Sequence, residues 1–400
     1  MLLADDRLAR HNAFILAIAQ ALGGANPSIV VALGGLVGEA LASDPGYATL
    51  PVSLLQLGLA SGTIPAALVQ RRLGRRTGYL IGAAVGVLSG SVAAAGVSLS
   101  SFTVFCLGTF LAGFYSAYVQ SYRFAATDVA SDAFRMRAIS WVMAGGVAGG
   151  IVGPQTVIWT RDLLPGAPFA GAFLGQAALA LVSFGVLACL RTVPITTNVQ
   201  AGSGRPLSVI VRQPKFLIAV VVGLVSFGMM TFLMTAAPLA MVVECGHSVA
   251  DATLGIQWHI LAMFGPSFVT GRLIDRFGKP WVSAVGLVLI ALAALVGLHG
   301  TDVAHFWIGL ILLGIGWNFG FIGATALVTE CYRPEERAKA QATNDFLVFG
   351  SVAIASFSSG KLLSIGGWSG VAILVLPAVA LAAIVLGWGW RTNRLEPAPV

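Results

Sequence analysis

Charged side chains are scarce in this chain of 400 residues, of which Asp, Glu, Lys and Arg make up only 10%, against roughly 25% in soluble domains. Hydrophobic residues make up 57%, and 49 glycines add to the apolar share. So few charges cannot keep that much apolar surface in water. The composition therefore excludes a soluble enzyme, a nucleic-acid-binding protein and a disordered scaffold, and it indicates that lipid surrounds most of the chain.

Motifs for metals, nucleotides and catalysis are missing as well. The four cysteines form no C-x-x-C pair and show no metal-ligand spacing. The chain has no G-x-x-x-x-G-K-[ST] loop that would hold ATP phosphates, and no H-E-x-x-H or Ser-Lys arrangement. We therefore expect no metal, no cofactor and no ATP-driven motor.

A series of long apolar segments runs along the whole chain. A membrane-spanning helix needs about 20 mostly apolar residues, whereas a strand of a membrane barrel shows about ten alternating residues, a pattern that does not occur here. We predict an all-α membrane protein with twelve spans, numbered in chain order. Their bounds are 13–41, 48–69, 79–99, 102–126, 137–160, 169–190, 215–241, 250–271, 281–299, 304–328, 339–361 and 367–390.

Basic side chains mark one side of the membrane. If the amino terminus is cytoplasmic, 21 of the 23 Lys and Arg residues lie in or beside cytoplasmic segments, and only Arg161 and Lys361 lie outside. The positive-inside rule then places both termini in the cytoplasm. The net charge of +7 thus records topology, and we expect no nucleic-acid partner.

The two halves of the chain repeat each other weakly. The longest cytoplasmic connection, 191–214, is rich in Pro, Gly, Ser and Thr, and we predict that it links six-helix halves at 1–190 and 215–400. Three pairs of segments recur at an offset of about 200 residues, which indicates duplication of a six-helix unit. The pairs are Leu73-Gly74-Arg75-Arg76 with Phe277-Gly278-Lys279-Pro280, LAGFYS at 111–116 with LGIGWN at 313–318, and Arg137-Ala138 with Arg337-Ala338.

The segment GRLIDRFGK at 271–279 resembles the signature loop of the major facilitator superfamily, approximately G-x-L-x-D-R-x-G-R/K. It lies between spans 8 and 9, where that family has its second-half copy, and the twelve spans extend the resemblance over essentially the whole chain. The resemblance implies a monomeric secondary transporter that moves a small organic solute across a bacterial inner membrane by alternating access. It also implies that Asp275 and Arg276 belong to a cytoplasmic gate, with a solvated loop as the alternative.

The first-half copy of this loop departs from the family pattern. Ala67 stands in place of the first glycine, and Arg71 stands in place of the acid that in the family braces the cytoplasmic side. We predict a compensating gate in which arginines of this loop pair with acids of the loop between spans 10 and 11, unless both loops are simply solvated. The arginines are Arg71, Arg72, Arg75 and Arg76, and the acids are Glu330, Glu335 and Glu336.

In the family, spans 1, 4, 7 and 10 line the central cavity, and spans 2, 5, 8 and 11 help to form it. The resemblance therefore implies that polar and aromatic side chains on these spans bind the substrate, whereas the alternative for the amides is to join helices. Tyr115, Tyr118 and Tyr122 follow one another at helical spacing and form one stripe. The predicted substrate-binding residues are Gln20, Asn26, Gln56, Tyr115, Tyr118, Gln155, Trp317 and Asn318.

Few ionisable side chains lie inside the predicted spans, where they are costly and usually functional. Asp345 in span 11 and His259 in span 8 are the predicted proton-coupling groups. Arg123, near the cytoplasmic end of span 4, is predicted to act in the gate. The alternatives are a permanent ion pair between Asp345 and Arg123, and a His259 that serves packing alone.

These features predict a proton-coupled secondary transporter for a small amphipathic solute, with efflux favoured over uptake. Two other classes stay open at this point. A polytopic membrane enzyme would need a catalytic cluster near one membrane face, and the sequence shows none. A receptor that kept the fold and lost transport is compatible with the altered first-half loop.

Overall fold

The computed structural model describes residues 6–191, 204–392 and 395, and helices make up nearly all of this part of the chain. Each predicted span corresponds to one helix, to part of a longer helix or to a pair of shorter helices. The helices that form the spans are Arg7–Leu41 (span 1), Leu50–Leu73 (span 2), Arg75–Ser98 (span 3), Phe102–Val119 and Tyr122–Ala125 (span 4), Asp132–Thr160 (span 5), Ala170–Ala188 (span 6), Pro214–Leu239 (span 7), Val249–Phe264 and Ser267–Phe277 (span 8), Lys279–His299 (span 9), Val303–Val328 (span 10) and Arg337–Arg391 (spans 11 and 12). The short helix Leu207–Val211 precedes span 7.

Among the described residues, ten helices are long and apolar enough to cross a membrane. Two local features explain why ten such helices correspond to twelve predicted spans. Arg337–Arg391 is assigned as one helix of 55 residues, but Gly367 within it has a φ of 62° and separates span 11 from span 12. Span 8 is divided into helices of 16 and 11 residues at Gly265 and Pro266, because proline lacks the N–H that a continuous helix needs. The predicted all-α fold is confirmed, and the described helices cover all twelve spans.

The chain separates into two compact units. Unit 1 comprises Met1–Thr196 and Val249–Ile260, and unit 2 comprises Thr197–Ser248 and Leu261–Val400. The first part of span 8 thus groups with the first six spans. Residues 192–203 of the predicted central loop lie outside the described residues, so the domain boundary at 191–214 stays a prediction.

Glycines let spans 2 and 4 approach each other closely within unit 1. A Cβ at Gly58 would clash with the carbonyl group of Phe110, and a Cβ at Gly113 would clash with that of Leu55. Backbone atoms cannot turn aside as a flexible side chain can. Such small-residue contacts are the usual basis of helix packing in lipid, where the hydrophobic effect does not drive helices together.

The junctions that follow spans 2 and 8 share one backbone conformation. Gly74 has a φ of 83° and a ψ of 163°, and Gly278 has a φ of 86° and a ψ of 154°. A residue with a Cβ is strained at such positive φ values. The same conformation at the same place in each half supports the duplication that the sequence repeat indicates.

Candidate functional site

Five aromatic side chains from four spans meet in unit 2, and we call them the aromatic cluster. The ring of Trp317 stacks on that of Phe321, with centroids 5.4 Å apart and planes inclined by 16°. The same ring makes T-shaped contacts with Phe227 at 5.3 Å and with Phe264 at 6.3 Å. Phe227 also lies 5.8 Å from Phe349. The cluster therefore joins spans 7, 8, 10 and 11 around Trp317.

The aromatic cluster combines accessible ring surface with one buried polar atom. Trp317 is only 8% exposed, whereas the four phenylalanines are half-buried. The indole nitrogen of Trp317 is buried, and no acceptor among the described residues lies within hydrogen-bonding distance of it. Aromatic rings attract other rings in offset-stacked and edge-on arrangements. The cluster is therefore suited to a planar aromatic solute that carries a hydrogen-bond acceptor.

Asn318 fixes span 8 against span 10. Its Nδ2 donates to the carbonyl oxygen of Met263 at 2.6 Å and to Oγ of Ser267 at 2.7 Å, and its Oδ1 accepts from Oγ1 of Thr270 at 2.6 Å. These bonds reach both sides of the break in span 8 and hold Phe264, which follows Met263, in the aromatic cluster. Asn318 is fully buried. This geometry gives the Asn318 amide a role in positioning span 8, and its contact with substrate stays a prediction.

Two of the predicted amides in unit 1 connect helical segments. Asn26 is buried and donates from Nδ2 to the carbonyl oxygen of Ala112 at 2.8 Å and to Oγ of Ser116 at 2.9 Å. Its amide thus joins spans 1 and 4, in accord with the alternative that the sequence left open for amides. Gln155 donates from Nε2 to Oε1 of Gln257 at 2.9 Å. The half-buried amides, for which substrate binding stays a prediction, are Gln20, Gln56 and Gln155.

The tyrosine stripe of span 4 faces span 3. Tyr115 is 1% exposed and Tyr118 is 2% exposed. A Cβ at Gly86 would lie 2.7 Å from the ring of Tyr115, and a Cβ at Gly82 would lie 2.6 Å from the ring of Tyr118. The two rings fill space that glycines leave on span 3. This packing gives Tyr115 and Tyr118 a structural role, and their contact with substrate stays a prediction.

The predicted coupling groups occupy different environments. Asp345 is exposed, and one of its carboxylate oxygens accepts a hydrogen bond from Nδ2 of Asn344 at 3.1 Å. Since Asp345 precedes Phe349 by one helical turn, the carboxylate shares a face of span 11 with a ring of the aromatic cluster. His259 is fully buried in the part of span 8 that belongs to unit 1. Proton coupling through either group stays a prediction.

Glu330 and Glu336, two acids of the loop between spans 10 and 11, bind basic residues of unit 2, and their pairing with first-half arginines stays a prediction. Glu336 is fully buried and accepts hydrogen bonds from Nε and Nη2 of Arg205 at 2.9 and 2.7 Å, and from the backbone N–H of Arg205 at 2.7 Å. The Arg205 hydrogen bonds hold the pKa of Glu336 well below its usual range, although burial acts in the opposite direction. Glu330 is bound by Lys215 and Lys279.

Arg75 also pairs within its own unit. Its Nε lies 3.0 Å from a carboxylate oxygen of Asp128, which follows span 4. Asp128 therefore supplies an acidic partner for Arg75 within unit 1, and a compensating pairing between the loops is not needed to explain this residue. The other predicted gate residues are exposed, and their role in gating stays a prediction: Arg71, Arg72, Arg123, Asp275, Arg276 and Glu335.

Comparison with known proteins identifies the family. A family model described as Major Facilitator Superfamily matches residues 13–267 and 219–400. The chain belongs to the major facilitator superfamily. The riboflavin transporter RfnT of Brucella anthropi is 58% identical over 386 residues, which cover 96% of this chain and 97% of that protein. The MFS-type transporter YdeG of Bacillus subtilis is 28% identical over 97% of this chain and 93% of its own length.

Solved structures of other superfamily members share the fold. A mutant of the nucleoside transporter NupG superposes with a TM-score of 0.74 at 14% identity, covering 96% of this chain and 99% of that one. A bacterial homologue of the human lysosomal transporter Spinster, in an inward-facing state, gives 0.72 at 14% identity, covering 99% and 100%. Fold and relatives are those of major facilitator transporters and not of enzymes. The chain is therefore a multi-pass membrane protein that acts as a secondary transporter of a small solute.

Four phenylalanines of the aromatic cluster are not among the predicted site residues. A phenylalanine within an apolar span is typical of a side chain that faces lipid, so composition does not single it out. The spacing of Phe321, four residues after Trp317, is the signal that predicts a shared face. Arg205 is also missing from the prediction, because no pattern in a polar loop shows which of its residues will bind a buried acid.

Proposed function

We propose that this major facilitator protein transports riboflavin across the bacterial inner membrane, with both termini in the cytoplasm. The aromatic cluster is the observation that carries the proposal. The isoalloxazine ring of riboflavin is large, planar and heteroaromatic, and each aromatic contact is worth about 0.5–1.5 kcal/mol beyond the area it buries. The identity of 58% to the Brucella anthropi riboflavin transporter, over nearly all of both chains, supports the same substrate.

Proton coupling through Asp345 is the second part of the proposal. Asp345 shares a face of span 11 with Phe349, so its protonation changes the charge beside a ring that contacts the substrate. A carboxylate is costly near apolar groups, and this cost disappears when the carboxylate binds a proton. His259 is the second candidate because imidazole changes charge near neutral pH. Efflux over uptake and the monomeric state stay predictions.

Counterflow tests the substrate. The purified protein is reconstituted into liposomes loaded with unlabelled riboflavin, which are then diluted into a trace of labelled riboflavin. We expect the label to accumulate transiently, because a carrier exchanges internal for external substrate. Neither a membrane enzyme nor a transport-dead receptor produces such exchange. Liposomes without protein are the control, and a monodisperse, folded protein that exchanges no riboflavin would contradict the proposal.

A pH gradient separates coupling from exchange. We expect the wild-type protein to concentrate riboflavin when a gradient is imposed, and the gradient direction that does so distinguishes uptake from efflux. Asp345→Asn should retain counterflow and lose accumulation, because exchange needs no net proton movement. His259→Gln is the matched variant at the other candidate. If both variants still accumulate riboflavin, neither group couples transport to protons.

A further inference from the structure

We propose, resting on the proposed function, that Trp317 determines specificity through its indole N–H. In this proposal the N–H donates a hydrogen bond to an acceptor at the edge of the bound flavin ring. The remaining rings of the aromatic cluster recognise planarity alone. Trp317 thereby recognises the chemistry of the ring edge.

The direction of the Trp317 N–H is fixed by packing. One face of the indole ring stacks on Phe321, with planes only 16° apart. Phe227 and Phe264 contact the same ring in T-shaped arrangements at 5.3 and 6.3 Å. Neighbours on several sides leave the ring little freedom to turn. A ligand therefore meets a donor whose position is set before binding, which reduces the entropy lost on binding.

The Trp317 N–H on span 10 differs from two buried hydroxyl groups on span 7 that also lack a partner among the described residues. Oγ of Ser226 and Oγ1 of Thr231 are also buried without one. A hydroxyl on a helix can rotate toward a carbonyl of the preceding turn. The rigid indole has no such choice, and its nitrogen only donates. A buried donor in this state is costly unless a ligand supplies the acceptor.

Asn318, the residue after Trp317, cannot serve as that acceptor. Its Oδ1 accepts from Thr270 at 2.6 Å, and its Nδ2 donates to span 8. The hydrogen bonds of Asn318 hold Phe264 near Trp317 at the break in span 8. The two adjacent residues therefore have different roles: Asn318 positions span 8, and Trp317 keeps an N–H that has no partner among the described residues.

The chemistry of the flavin ring matches this donor. Carbonyl oxygens and ring nitrogens at its edge accept hydrogen bonds, whereas a planar hydrocarbon offers none. A site built to hydrogen-bond its substrate rejects analogues that lack the group, because the buried partner is then left unpaired. We therefore expect the transporter to distinguish planar rings by the acceptors at their edge.

The variant Trp317→Phe isolates the N–H, because it keeps an aromatic ring and removes the donor. Trp159→Phe is the matched control, since Trp159 is 73% exposed on span 5 and has no place in the aromatic cluster. The KM and kcat of riboflavin transport are measured for both variants. Competition compares riboflavin with an analogue whose ring carbonyl is replaced by thiocarbonyl, a weaker acceptor. Quenching of riboflavin fluorescence reports stacking on the cluster and confirms that each variant is folded.

We expect Trp317→Phe to raise the KM for riboflavin about tenfold, to change kcat little, and to lose the preference for riboflavin over the thiocarbonyl analogue. Fluorescence quenching at saturation should persist, and Trp159→Phe should behave as the wild type. If Trp317→Phe keeps the wild-type KM and preference while the wild type transports riboflavin, the role of the N–H is overturned and the proposed function stands. If the wild type neither binds nor transports riboflavin, both are overturned.

Discussion

In unit 1, Arg75 follows the left-handed Gly74 and pairs with Asp128 beyond span 4, at 3.0 Å. In unit 2, Lys279 follows the left-handed Gly278 and pairs with Glu330 beyond span 10. These are corresponding positions of the repeat. Each half therefore keeps one basic residue and one acid that join the start of its third helix to the end of its fourth.

A second connection also recurs, made by different chemical groups in each unit. In unit 1, the carboxylate of Asp6 accepts from the N–H of Ser131 at 3.0 Å and from its hydroxyl at 2.8 Å, just before the helix of span 5. In unit 2, Arg205 donates to Glu336, just before the helix of span 11. In each unit, hydrogen bonds thus join the segment before the first span of that half to the start of its fifth span.

Spans 4 and 10 differ where the repeat aligns LAGFYS with LGIGWN. Tyr115 corresponds to Trp317, yet its ring packs on Gly86 of span 3 while Trp317 lies in the aromatic cluster. Ser116 corresponds to Asn318, which holds the broken span 8. The repeat therefore preserves the ends of the helices, whereas their interiors differ: Tyr115 packs against span 3 in unit 1, and in unit 2 Trp317 lies in the aromatic cluster, for which we propose substrate recognition.

Alanine at the two aromatic positions should give the largest contrast. Trp317→Ala removes the contacts with the neighbouring rings and also the indole donor, so we expect riboflavin transport per folded molecule to fall about 100-fold. Tyr115→Ala leaves a cavity against span 3, so we expect near-normal transport and a loss of about 3 kcal/mol in the free energy of unfolding. Counterflow normalised to folded protein, together with denaturant unfolding in detergent, measures both. If Tyr115→Ala and Trp317→Ala lost transport equally, the proposal that span 4 serves packing and span 10 serves substrate recognition would be contradicted.

Alanine at the next residue of each span, Ser116 in span 4 and Asn318 in span 10, should give a smaller difference between the units. Asn318→Ala removes three hydrogen bonds, two of them buried, and we expect a loss of about 2–3 kcal/mol in stability and a raised KM because Phe264 moves. Ser116→Ala removes one bond from Asn26, which still donates to the carbonyl oxygen of Ala112, so we expect about 1 kcal/mol and an unchanged KM. An unchanged KM in Asn318→Ala would mean that the break in span 8 does not position the site.

The sequence predicted the number of spans because about 20 apolar residues are needed to cross a bilayer, whichever way each helix faces. It did not predict which face of span 4 is buried. A helix that is apolar all round has no amphipathic pattern to show its rotation. Residue type alone therefore does not show that Tyr115 and Tyr118 fill the space that Gly86 and Gly82 leave on span 3.

The sequence also does not predict which distant loop residues contact each other. The acids beside span 11 and the arginines of the first half have opposite charges, and charge alone cannot choose between several possible partners. The structure places Arg205 at Glu336 through hydrogen bonds from its backbone as well as its side chain. Such a choice depends on the path of the chain, which residue types do not specify.

Acid should weaken both connections that precede the fifth helices. Hydrogen bonds from Arg205 lower the pKa of Glu336, and those from Ser131 lower the pKa of Asp6, each against the effect of burial. A lowered folded-state pKa means that the stabilisation is complete above the unfolded-state pKa of about 4 and is lost as the pH falls below it. Glu336→Gln should therefore flatten the decline of the melting temperature between pH 6 and pH 3. Asp6→Asn should flatten it less, because its partner Ser131 is uncharged.

The smallest effects should come from the recurring ion pairs at the third helices. Arg75 and Asp128 keep 24% and 32% of their side-chain surface exposed, so Asp128→Asn should cost less than about 1 kcal/mol, as solvated pairs do. Glu330→Gln should cost more, because Glu330 binds two lysines and one of them, Lys215, is buried. Double-mutant cycles of Arg75 with Asp128 and of Lys279 with Glu330, read from unfolding at low and high salt, measure each coupling. We expect a coupling energy near zero for Arg75 with Asp128 and a larger one for Lys279 with Glu330. That result would show that the ion pair stabilises unit 2, which holds the aromatic cluster, more than unit 1. Equal couplings would show that both copies are only solvated pairs.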